Sequence, residues 1–213
     1  MVQIIPAILS NTEEQFKNDI TKVASSQALV GGWVHIDFAD NKFVQNKTIN
    51  TDVISKFPAN FQKEAHLMVT HPLEWIDKLV EANFKRVIFH IECNDDIDEV
   101  INYAKSKGLE VGLAIKIETP IEKLEPFISK IDMVLVMSIK AGFQGQLFIT
   151  DSLQKIRDIN SKWDVKIGVD GAVKDKNIKP LIESGAEHLI VGSFLLKGNI
   201  DENLERLREI ING

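Results

Sequence analysis

A single cysteine, Cys93, stands among 213 residues, which excludes an internal disulfide and any zinc site built from several thiolates. Basic residues are not in excess: 25 Lys and Arg face 31 Asp and Glu, for a formal net charge of −6. A chain of that sign is a poor match for a phosphate backbone, so no nucleic-acid partner is expected. No stretch approaches the ~20 consecutive apolar residues that span a bilayer, so no membrane partner is expected either. The opening MVQIIPAILS has no basic segment ahead of its short apolar run, which Pro6 breaks, and it reads as a strand rather than a secretory leader. No Pro/Ser-rich linker or low-complexity tract divides the sequence. With 44% hydrophobic residues, the expectation is one cytoplasmic domain over residues 1–213.

What the sequence does have is an alternation of short apolar runs with longer amphipathic segments, repeated eight times. The runs are QIIPAIL, WVHIDF, EAHLMV, RVIFHI, LEVGLAI, MVLVM, VKIGV and HLIVG. Short and rich in Val, Ile and Leu, they are expected as strands buried on both faces. Segments such as TEEQFKNDITKVASS, PLEWIDKLVEANF, DDIDEVINYAKSKG and DSLQKIRDINSK carry helical spacing between them. Asn11 or Thr12 is the expected N-cap of the first helix, and Gly108 the stop of the DDIDEVINYAKSKG helix. TDVISKF is the weakest helix, cut short by Pro58. Eight β–α units in this length predict an α/β fold, a closed (β/α)8 barrel of the TIM type. An open doubly wound sheet would carry a G-x-G-x-x-G turn after its first strand, and PAILSNTEE contains no glycine.

In such a barrel, reactive groups sit at the C-terminal ends of the strands. Strand one ends at Ser10, strand two carries His35 and Asp37 on one face, strand three His66, strand four His90 and Glu92, and strand seven Asp170. Ionisable groups are costly inside apolar strands unless something pairs them. His35, Asp37, His66 and Asp170 offer two imidazoles and two carboxylates to one bore. That donor set suits one divalent transition metal (Zn²⁺, Fe²⁺, Mn²⁺ or Co²⁺) and disfavours Ca²⁺ or Mg²⁺. His90 and Glu92 are expected to support that site, His188 to be structural at the opposite rim, His71 to be solvated, and Cys93 to be an inert thiol. Three glycine-bearing segments follow the last three strands: residues 141–146, Asp170-Gly171-Ala172 and Gly192-Ser193. Loops at this rim commonly cradle phosphate, so a phosphorylated small molecule is the expected substrate.

Over essentially its full length the chain resembles the ribulose-phosphate 3-epimerase family, through IIPAILS, VHIDFADNKFVQN, AHLMV, the HIE of strand four, MSIKAGFQGQLFI, VDGAV and IVGS. The resemblance implies that His35, Asp37, His66 and Asp170 hold one divalent metal, with Asp37 and Asp170 as the catalytic acid–base pair. It implies substrate contacts from Ser10, His66, Met68 and Met137, and phosphate held by Gly142, Phe143, Gln144, Gly145, Gly171, Ala172, Gly192 and Ser193. The reaction implied is inversion at C3 of D-ribulose 5-phosphate to give D-xylulose 5-phosphate through a cis-enediolate, an isomerase activity of the pentose phosphate pathway. Homo-oligomerisation stays open.

Several positions depart from the family's usual wording. Its D-x-M-D-G reads Asp37-Phe38-Ala39-Asp40-Asn41 here, and the proline of F-V-P-N is Gln45. Its N-P-G-F-G-G-Q is Lys140 to Gln146, with Lys140 and Gln144 as new side chains, and the second glycine of V-D-G-G is Ala172. These changes keep two other readings in play: a D-allulose 6-phosphate 3-epimerase, and a sugar-phosphate-binding barrel with weakened catalysis. A decarboxylase or aldol-type lyase is disfavoured, because no strand carries Asp-x-Lys-x-x-Asp.

Overall fold

The computed structural model describes residues 2–143 and 145–213. Eight parallel strands close into a barrel in sequence order, from β1 to β8 and back to β1. They are β1 (Gln3–Ile8), β2 (Trp33–Ala39), β3 (Gln62–Met68), β4 (Arg86–His90), β5 (Glu110–Ile115), β6 (Met133–Met137), β7 (Lys166–Asp170) and β8 (His188–Val191). Each lies within one of the eight apolar runs or overlaps it closely. The helices are α1 (Glu13–Ser25), α2 (Thr51–Ser55), α3 (Ile76–Glu81), α4 (Ile97–Ser106), α5 (Asp151–Lys162), α6 (Ile178–Glu183), α7 (Ser193–Leu196) and α8 (Ile200–Asn212). Thr12 is the N-cap of α1, its hydroxyl accepting from the Gln15 N–H at 3.2 Å. Gly108 ends the turn after α4 with φ +80°. Between β5 and β6 no α-helix forms among the described residues; Pro120 and Pro126 break the segment into two short 3₁₀ turns.

Two apolar layers result. The larger lies between strands and helices and includes Phe16, Phe38, Leu67, Phe89, Val136, Ile156 and Leu189. The smaller fills the bore with Ile5, Ala7, Ile88, Ala114, Met133, Leu135, Met137 and Ile190. Gly112 and Gly168 make room for Met133: a Cβ on either would come within 2.9 Å or 2.7 Å of its side chain. Inward-facing polar side chains concentrate instead on β2, β3 and β4. In register across those strands and the next, His35 pairs with Glu64, Glu64 with Arg86, and Arg86 with Glu110.

Candidate metal centre and active site

The alternation of side chains along β2 points His35 and Asp37 into the bore, while β3 brings in His66 and β7 Asp170. One donor atom from each of these four residues lies within 4.8 Å of the others. His66 Nδ1 is 2.9 Å from Asp37 Oδ1 and 3.5 Å from Asp170 Oδ2. His35 Nε2 is 3.4 Å from Asp37 Oδ1, and this fully buried nitrogen has no hydrogen-bond partner among the described residues. A buried ring nitrogen beside two carboxylates and a second imidazole is what a bound cation would satisfy. The four residues therefore fit a divalent transition metal: two nitrogens, two oxygens, and support behind each ring.

Those supports differ. His35 Nδ1 lies 2.7 Å from Glu64 Oε1, and Glu64 Oε2 accepts from Arg86 at 2.6 Å; Arg86 also reaches Glu110 and stacks over Trp33. Behind His66, His90 Nε2 lies 3.0 Å from His66 Nε2, and His90 Nδ1 3.1 Å from Glu92 Oε2. The reading of His90 and Glu92 as a support thus matches their positions. Glu64 and Arg86 were not singled out from the sequence. Their signal was a charged residue on the inward face of a strand, Glu64 two positions before His66.

Electrostatics divide the cluster. Burial disfavours a charge on His35, but the carboxylates of Asp37 and Glu64 outweigh it and raise its pKa to about 10. Burial opposes ionisation of Asp37 too, yet the flanking His35 and His66 hold it well below the usual carboxylate range. Burial and the charge of Asp37 push Asp170 up to about 6. Burial keeps His90 neutral, its pKa down at about 4 despite Glu92.

Residues from all three glycine segments meet at one cavity of about 40 Å³. Asp37 and Asp170 form its floor, Met68 and Met137 its sides, and Gly142, Phe143, Gly145, Gly171, Ala172, Gly192 and Ser193 its rim. Gln144 lies outside the described residues. Gly142 has φ +112°, and a Cβ there would come 2.9 Å from Val44, so no other residue suits the position. Asn46 donates to the Gly142 carbonyl at 2.6 Å, tying the loop after β2 to the loop after β6. Ser10 is buried at the end of β1 with its hydroxyl donated to Asp19 at 3.3 Å. Lys140 is exposed and lines a different cleft of about 450 Å³ with Val44, Lys116 and Glu118. His71 is half-exposed and bonded to Asp95 at 2.7 Å, so it is paired as well as solvated. Burial pushes the Cys93 thiol up to about 11, out of the nucleophilic range. His188 sits at the start of β8, opposite the site.

A sequence profile for the Ribulose-phosphate 3 epimerase family matches residues 3–196. The chain belongs to that family. It is 33% identical over 221 residues to the ribulose-phosphate 3-epimerase of Schizosaccharomyces pombe, covering 100% of this chain and 93% of that protein. The Escherichia coli ribulose-phosphate 3-epimerase is 30% identical over 220 residues, covering 97% of this chain and 96% of its own. Family membership makes the chain an epimerase, an enzyme of the isomerase class in carbohydrate metabolism. Among solved structures, 3-hexulose-6-phosphate synthase from Salmonella typhimurium matches with a TM-score of 0.72 at 16% identity, covering 99% of both chains. At that identity the likeness concerns the TIM barrel alone. No helix among the described residues is long and apolar enough to cross a membrane.

Proposed function

We propose that this epimerase inverts C3 of a ketose phosphate, interconverting D-ribulose 5-phosphate and D-xylulose 5-phosphate in the cytoplasm. The observation that carries the reading is the placement of Asp37 and Asp170 on opposite walls, facing one point beside two imidazoles. One carboxylate takes the C3 proton from one face of the substrate, leaving a cis-enediolate, and the other returns a proton to the opposite face. Because the reaction runs both ways, each aspartate serves as acid in one direction and base in the other. His35, Asp37, His66 and Asp170 would hold the metal, Zn²⁺, Fe²⁺, Mn²⁺ or Co²⁺, which supplies positive charge opposite the oxygens where negative charge develops. Met68 and Met137 exclude water from the reacting carbons, and backbone N–H groups at Gly171–Ala172 and Gly192–Ser193 hold the phosphate. A cavity of about 40 Å³ takes water rather than a sugar phosphate, so the segment bearing Gly142 and Phe143 moves outward on binding.

The test is an assay with each of the four metals in turn, on D-ribulose 5-phosphate and D-allulose 6-phosphate in deuterated water. Deuterium at C3 of the five-carbon sugar, with slower turnover of the six-carbon one, is the expected result. Faster turnover of the allulose compound reassigns the substrate. No exchange into either sugar, with metal bound, leaves a barrel that binds sugar phosphate without catalysis.

A further inference from the structure

We propose that Glu92, acting through His90, fixes Nδ1 as the nitrogen of His66 that can take up the metal. Two ring nitrogens 3.0 Å apart, His66 Nε2 and His90 Nε2, can bond only if one donates and the other accepts. Glu92 decides which. Its Oε1 accepts from the Lys116 N–H at 3.0 Å and from the Thr119 hydroxyl at 2.5 Å, and its Oε2 faces His90 Nδ1. A carboxylate so placed only accepts, so His90 carries its proton on Nδ1 and offers a lone pair at Nε2. His66 must then donate from Nε2, which leaves Nδ1, bonded to Asp37 at 2.9 Å and 3.5 Å from Asp170, as the nitrogen that exchanges its proton for a metal. His35 is arranged the other way round, with Nδ1 on Glu64 and Nε2 inward. The two rings thus present opposite nitrogens to the cluster, each backed by its own support, and Glu92 is a positioning residue two contacts removed from the cluster.

The isosteric change Glu92→Gln should reverse the chain. The Lys116 N–H still needs an acceptor, so the amide oxygen stays on it and the amide NH₂ turns to His90. His90 then moves its proton to Nε2, and His66 has to offer a lone pair there, which keeps its own proton on Nδ1. Imidazole ¹⁵N spectra should show His90 protonated at Nδ1 in the wild type and at Nε2 in Glu92→Gln, with or without zinc. Zinc affinity, measured against a competing chelator, should fall by about 10–100-fold. Thr119→Ala keeps the carboxylate and should leave both the tautomer and the affinity within about threefold, which separates polarity from general loosening. An unchanged His90 tautomer in Glu92→Gln, or wild-type zinc affinity in that variant, overturns the proposal. The inference rests on the metal reading of the site. If the wild type bound no zinc that reading would fail, while the tautomer in metal-free protein would still decide this one.

Discussion

Asp37 and Asp170 face the same point, yet their walls treat them differently. Asp37 stands on β2 among charged neighbours: His35 beside it, His66 bonded to it, and Glu64 and Arg86 behind. Asp170 ends β7, where the bore is lined by Met133, Leu135, Met137 and Ile190, and among the described residues no hydrogen-bond or ion-pair partner lies closer to its carboxylate than His66 at 3.5 Å. One carboxylate is held ionised by design of its wall and the other is left in tension with the first. For the proposed acid–base pair this inequality means that one carboxylate starts ionised, ready to take a proton, and the other more readily holds one to give.

The largest effect that can break this comparison comes from neutralising each carboxylate. Asp37→Asn and Asp170→Asn should both slow C3 exchange by about 10²–10⁴-fold. Their metal-free stabilities, measured by urea denaturation, should move in opposite directions. Asp37→Asn leaves the buried, charged His35 short of a partner and should cost about 3–5 kcal/mol. Asp170→Asn removes a carboxylate whose pKa is raised to about 6, so it should gain up to about 3 kcal/mol at neutral pH. The pH dependence follows. Between the unfolded value and about 6 the folded protein holds a proton on Asp170 that the unfolded chain has lost, so this residue destabilises progressively as pH rises through that range. The advantage of Asp170→Asn should therefore be complete above pH 6 and absent below about 3.8. Equal losses of stability in both variants would show that the two walls are not different.

A smaller effect isolates the charged wall. Arg86→Met leaves Glu64 buried with its oxygen toward Arg86 unpaired, and removes the stacking on Trp33. A loss of about 3 kcal/mol is expected, with zinc affinity reduced because Glu64 no longer holds His35 firmly. Met133→Leu in the apolar wall, a near-isosteric change, should cost less than about 1.5 kcal/mol and leave zinc binding alone. Thermal melts with and without zinc compare the two.

The same contrast governs what could be read from the sequence. The strands were legible because a strand covered on both faces must be almost wholly apolar, and the interruptions His35, Asp37, His66 and Asp170 then stood out as candidates, which the barrel brings together. Glu64 and Arg86 were not legible. A charged residue near the start of a strand usually points to solvent, and only the register of β2, β3 and β4 shows that these two face inward and meet. The hydrogen-bond polarity through Glu92 was equally hidden, since it depends on a loop N–H at Lys116 whose position no local pattern dictates. The rim glycines were legible as a group, but the backbone each one needs was not.

That last point yields the smallest expected effect. Asn41 and Ala172 stand where the family's usual wording has glycine, and both adopt left-handed backbone, φ 61° and 53°. Asparagine tolerates this conformation through local hydrogen bonding, whereas alanine gains nothing to offset its Cβ clash. Ala172→Gly should therefore stabilise the protein by about 0.5–1 kcal/mol, part of the relief being returned as extra freedom of the unfolded chain. Asn41→Gly should change stability by only a few tenths. Gly171, one residue earlier, marks the other limit: with φ +117° and a Cβ that would come 2.9 Å from the Ile139 backbone nitrogen, Gly171→Ala should destabilise by well over 1 kcal/mol. Adjacent residues beside Asp170 would then respond with opposite signs to the same pair of side chains. If Ala172→Gly instead destabilises, the left-handed turn after β7 is held by contacts of the Ala172 methyl, and the apolar wall supports Asp170 more actively than its lack of hydrogen bonds suggests.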